Sequence, residues 1–235
     1  MRGMDLAGDP TEENGAKAAF AAAVAGVLGL AAVGVWLRGG LPFEGVDLSL
    51  RASYILRHKY CWTAGWLLAG VGAVLVVNHF FVLASRWQTR GRGKCRLAMI
   101  LATAGLGADL SGLGLWIVVA PGLDAAGLGL VERIAGALSL FVAKILYSSA
   151  GVFLVLSGRK ELSPSLLWLS FGVWLSGFWV AAATLCECRP AQLWGLGTLV
   201  ILFVVWSALL GFHFLGIPRS AKATAGPSFT PDPRD

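Results

Sequence analysis

The 19 basic and 13 acidic side chains of this 235-residue sequence almost completely avoid six long apolar stretches. Residues 18–37, 61–84, 97–120, 134–156, 164–185 and 192–217 contain only two of them, Asp109 and Lys144. Each stretch is long enough to cross a hydrocarbon core of about 30 Å as a helix rising about 1.5 Å per residue. Backbone in lipid must satisfy its own N–H and C=O groups, so only helices and closed barrels cross it. Barrel strands would be about 10 residues long and alternating, and these stretches are neither. The sequence therefore predicts an all-α, polytopic membrane protein: six spans in one bundle over 17–218, with polar, disordered tails at 1–16 and 219–235. Composition agrees. The chain is 57% hydrophobic and 14% charged, where a soluble domain carries about 25% charged residues.

Local signals mark the span ends. Pro121 and Pro218 stop the third and sixth spans, and Pro190 precedes the sixth. Ser163-Pro164 reads as an N-cap followed by a first-turn proline. The leader holds Asp5, Asp9, Glu12 and Glu13, which is not the basic region of a signal peptide. With six spans, twelve basic residues share the side of both termini and six lie opposite. The positive-inside rule then puts both termini in the cytoplasm, in a plasma or inner membrane. Loop 85–96 decides this with five basic residues and no acid. Its basicity is read as topogenic charge beside anionic headgroups. No nucleic-acid module is present, so the expected partners are the bilayer and a homo-oligomer or larger membrane complex.

Loop 38–60, on the external side, supports two readings. Residues 46–54 alternate as a strand would, whereas Leu48, Ala52, Ile55 and Leu56 share one face of a membrane-surface helix. Trp36, Trp62, Trp66, Trp87, Trp168 and Trp194 lie near span ends and read as interfacial belts. Trp174, Trp179 and Trp206 are deeper and read as packing residues. Gly105 and Gly112 flank Asp109 on one face of span 3, as close helix packing needs.

Asp109 and Lys144 are each 12 residues from the cytoplasmic end of their spans, which places both about 18 Å deep. Sequential spans run antiparallel, so two opposite charges at equal depth on neighbouring helices are expected to pair. Ser111, Tyr147 and Ser148 are candidates to complete the site. The pair is either a static brace between helices or a proton- or substrate-linked site, since ionisable residues inside membranes mark function. His79 and His213 also match in depth, in the cytoplasmic leaflet, as two axial ligands of haem b would. Cys61, Cys186 and Cys188 fall outside and Cys95 inside. A disulfide from Cys61 to Cys186 or Cys188 would tie spans 2 and 6 in an oxidising compartment. No ligand set has zinc spacing. P-loop, HExxH, Gly-x-Ser-x-Gly and Cys-x-x-Cys motifs are absent. The leading expectation is a non-enzymatic small-solute or proton-linked transport or ligand-binding bundle around Asp109 and Lys144. A haem-b electron-transfer subunit and a scaffold or accessory subunit are the alternatives.

Overall fold

A computed structural model describes residues 10–41 and 47–216 of the chain. The C-terminal tail, Pro218 and the first nine residues lie outside the described residues. Every element among those described is helical: α1 (Pro10–Ala32), α2 (Leu48–Arg57), α3 (Lys59–Gly114), α4 (Ala125–Gly136), α5 (Ala143–Gly158), α6 (Pro164–Leu185) and α7 (Arg189–Leu215). Wide π-type turns extend three of the helices, at Val33–Leu37, Leu115–Val119 and Ala137–Val142. Five continuous helical segments are long and apolar enough to cross a membrane: Glu13–Gly40, Lys59–Gly122, Ala125–Gly158, Pro164–Leu185 and Arg189–Leu215.

The second of these doubles back on itself. Its backbone leaves helical geometry at Gly91 (φ −160°, ψ 54°). The two arms then lie side by side, with Leu110 and Leu113 of the second against Gly70 of the first. The basic stretch 85–96, expected as a loop, is thus helix on both sides of a reversal. Close approach explains the glycine: a Cβ at position 91 would stand 2.8 Å from Ser157 Oγ on α5. Elsewhere helix starts are capped in the usual way. Ser163 Oγ accepts from Leu166 N at 3.3 Å with Pro164 in the first turn of α6. Asp124 accepts from Gly127 N at 2.8 Å and starts α4 well ahead of the apolar stretch.

The helices close a ring in which α1 packs on α3 and α7, α5 on α3 and α6, and α6 on α7. The inner core is aromatic. Phe80 of α3 meets Tyr147 of α5 and Trp174 of α6, and Trp174 meets Trp206 of α7. A second core at the opposite end gathers Leu37, Ile55, Trp62, Trp116, Leu128 and Val131. Outward faces carry exposed Leu28, Val71, Leu175, Ile201 and Phe212, as lipid-facing helix surfaces do. Two of the expected belt tryptophans are fully buried instead. Trp62 Nε1 donates to the Trp116 carbonyl at 2.9 Å, and Trp87 Nε1 to Glu161 at 3.1 Å. Trp179, expected to pack inside, is exposed.

The described part of the 38–60 connection resolves as helix, not strand. An isolated strand would leave its backbone groups unpaired, whereas Asp47 caps α2 by accepting from Ser49 N at 3.1 Å. The buried face is turned from the expected one: Arg51 and Ile55 are inside and Leu56 is exposed.

Candidate functional site

Asp109 and Lys144 each fall near the middle of their continuous helical segments, Lys59–Gly122 beyond its reversal and Ala125–Gly158. Lys144 Nζ stands 3.9 Å from Asp109 Oδ2, with the two side chains 17% and 12% exposed. That separation leaves an ion pair without a hydrogen bond. Tyr147, one turn beyond Lys144, turns its ring toward the ammonium, with Nζ 5.6 Å from the ring centroid. Its hydroxyl is buried beside Asp109, short of a formed hydrogen bond. Gly105 makes room for that ring, since a Cβ there would lie 2.9 Å from Tyr147 Cε1.

The two expected serines are not part of this cluster. Ser111 is exposed and donates to Gly107 O of its own helix at 2.8 Å. Ser148 Oγ packs against Gly177 of α6, where any side chain would collide with it. Ser139, which carried no sequence signal, is brought in instead and donates to the Asp109 carbonyl at 3.3 Å. It reaches there because Gly112 leaves no side chain in its way and because the π-type turn Ala137–Val142 sits directly before Lys144. A second π-type turn, Leu115–Val119, follows Asp109 on the facing helix. Such turns are rare and recur at functional sites.

The histidines have separate partners. His79 is fully buried, with its ring 5.5 Å from that of Trp206 and neither nitrogen hydrogen-bonded. His213 lies seven residues from Trp206, about 10 Å along α7. Its Nε2 is 3.0 Å from the Glu161 carbonyl. Axial ligation needs two free nitrogens facing across a flat ring. Here indole fills the space beside one imidazole and backbone engages the other, so these residues do not fit haem b. All four cysteines are free: Cys61, Cys186 and Cys188 are exposed and Cys95 is buried. Among the described residues no three His, Cys, Asp or Glu side chains group as a metal site.

Two further charge clusters emerge that the sequence treated only as topogenic. Arg51 of α2 pairs with Glu132 of α4, at 1% and 8% exposure. Its Nε and Nη2 also donate to the Gly40 carbonyl at 3.2 and 3.1 Å. Burial, and secondarily the charge of Arg189, pushes this guanidinium down to about 10, so it remains protonated at neutral pH opposite Glu132. At the other end Glu161 gathers Arg86 at 3.1 Å and Arg90 at 2.6 Å, joining the first arm of α3 to the α5–α6 connection. Comparison with protein families, with curated proteins and with solved structures returns no match to this chain.

Proposed function

We propose that the chain crosses the membrane six times with both termini in the cytoplasm. In this reading Asp109, Lys144 and Tyr147 form a central site for a proton or small polar solute, used in transport. The reversal at Gly91 and the excess of basic residues on one side support the topology. The observation that carries the site is its looseness: 3.9 Å separates the two charges, and the Tyr147 hydroxyl lies beside Asp109 without a well-formed hydrogen bond. Buried polar groups that serve only to join helices ordinarily close their hydrogen bonds. These remain able to accept and donate.

The test is reconstitution of the full chain in liposomes with an entrapped pH dye and an imposed potassium diffusion potential. Proton uptake above that of protein-free liposomes is expected, and Asp109→Asn abolishes it. Equal rates with and without protein, or with and without the Asp109 carboxylate, would refute the reading. One observation favours the accessory-subunit alternative. Trp168, Phe171, Leu175 and Phe178 are exposed along α6 at the alternating three- and four-residue spacing of a helix-pairing seam, and Leu185 is exposed one heptad after Phe178. Co-purification of a stoichiometric membrane partner that α6 variants release, with no proton flux, would establish that role instead.

A further inference from the structure

We propose that His79 is a second proton-binding residue of the bundle, a relay between the end that carries the reversal and the Asp109 site; this rests on the proton reading of that site. His79 is fully buried, and neither ring nitrogen has a hydrogen-bond partner. In the ring of helices α1 lies between α3 and α7, so the approach of His79 to Trp206, with ring centroids 5.5 Å apart, crosses the middle of the bundle. Two more polar atoms are left open in the same core. One is Trp174 Nε1, whose ring lies 5.4 Å from that of Trp206, and the other is Ser207 Oγ, on the residue after Trp206. Nearby the same core closes its bonds: Trp206 Nε1 donates to Ser170 Oγ at 2.8 Å, and Ser170 donates to the Leu166 carbonyl at 2.6 Å. A buried polar group without a partner costs its desolvation and returns nothing, so packing alone favours an apolar side chain at position 79.

His79 differs from Trp174 and Ser207 in being able to carry a proton. Imidazole is the side chain whose ordinary charge change falls near neutral pH. Its bare nitrogen takes up one proton and the other nitrogen releases one, which leaves the neutral ring in its other tautomer. The other two histidines are not placed for this: His58 is exposed at the opposite end, and His213 engages the Glu161 carbonyl. His79 lies 12 residues before the reversal at Gly91 and Asp109 lies 18 after it, about 18 and 27 Å along their arms. His79 is thus about 9 Å nearer the reversal. Tyr147 occupies the interval. Its ring meets Phe80, the neighbour of His79, and its hydroxyl lies beside Asp109. The charged and titratable groups of the surrounding helices stand at the two ends of this path. Asp109 and Lys144 lie beyond Tyr147, while Arg86, Arg90, Glu161 and His213 gather towards the reversal. Glu13 and Lys17 of α1 pair with each other on the surface.

The experiment uses the full chain, isotope-labelled at the histidine and tryptophan nitrogens, in the liposomes of the proton-uptake assay. His79→Phe is expected to unfold no more easily than wild type, because two unpaired nitrogens give way to carbon among aromatic rings. It is expected to lower proton uptake about a hundredfold, the lower end of what a placed proton carrier contributes. His79→Gln, which stays polar but takes up no proton, lowers uptake as far. In deuterium oxide the His79 ring N–H of wild type, assigned by its loss in His79→Phe, is expected to fade from NMR spectra. The Trp174 indole N–H, also buried and unpartnered, is expected to persist. Wild-type uptake that both variants retain overturns the proposal and leaves the Asp109 reading standing. No uptake by wild type, with the His79 signal fading alone, refutes the Asp109 reading and keeps His79 as a proton-binding residue. Both N–H signals persisting, or both fading as water enters the core, overturns the proposal whatever the flux.

Discussion

Removal of one partner of the Asp109–Lys144 pair should cost more than removal of both. At 3.9 Å two unit charges attract by about 4 kcal/mol in a medium of effective dielectric near 20. The absence of a hydrogen bond and the residual exposure of both groups make this a ceiling. Lys144→Met keeps the length and apolar stem of the side chain but leaves the Asp109 carboxylate uncompensated. Losing one member of a buried pair costs about 3–5 kcal/mol, and with the partial exposure here about 3 kcal/mol is expected. Adding Asp109→Leu removes the stranded charge, and the double variant should lie within about 1.5 kcal/mol of wild type, as volume-conserving apolar swaps do. The coupling between the two sites is then about 2 kcal/mol or more, measurable as a double-mutant cycle in reversible unfolding from bicelles. Additive losses would refute the pairing. The same double variant separates a brace from a site. If the pair only joins helices, stability and proton flux return together; if it is the transport site, stability returns and flux does not.

Two further outcomes follow from charge burial and thiol exposure. Arg51→Met should destabilise by about 3–5 kcal/mol because Glu132 loses its counter-charge, whereas Arg51→Met with Glu132→Leu should be neutral or stabilising; a double variant as unstable as the single one would refute this. An impermeant maleimide applied to intact cells should label the exposed Cys61, Cys186 and Cys188 if both termini are cytoplasmic, and should leave the buried Cys95 unlabelled until unfolding; labelling of these three only from the cytoplasmic side would reverse the topology.

The helical class is legible in the sequence because lipid removes the competing options: a long apolar run without the short alternating segments of a barrel satisfies its backbone only as a helix. Depth is legible for the same reason, since a fixed rise per residue converts sequence position into distance. That arithmetic brought Asp109 level with Lys144, and the two side chains do meet. It also brought His79 level with His213, and they do not. Depth constrains one coordinate, while contact also requires that the two residues face each other around their helix axes. For Asp109 and Lys144 the facing follows from Gly105 and Gly112, which let α3 approach α5 and the turn before it. For His79 the facing neighbour is Trp206, two turns short of His213.

Rotation also explains what the sequence hid. Ser111 and Ser148 lie at suitable depths but point to their own helix and to α6, while Ser139 reaches the site through a π-type turn that no helical wheel of constant period would place there. Arg51 is the sharpest instance. In a pattern of apolar residues it scores as the solvent face of α2, and so Leu48, Ala52, Ile55 and Leu56 were expected to define the buried side. Glu132, eighty-one residues later, supplies the counter-charge that turns the helix over and buries Arg51 with Ile55. A charged residue reads as surface only while its partner is unknown. In a chain with so few charges outside its termini and turns, each remaining acid is a candidate partner: Glu132 and Glu161 each organise one end of the bundle, and Asp109 its middle. Among the described residues these acidic side chains thereby locate three places where helices are tied together by charge.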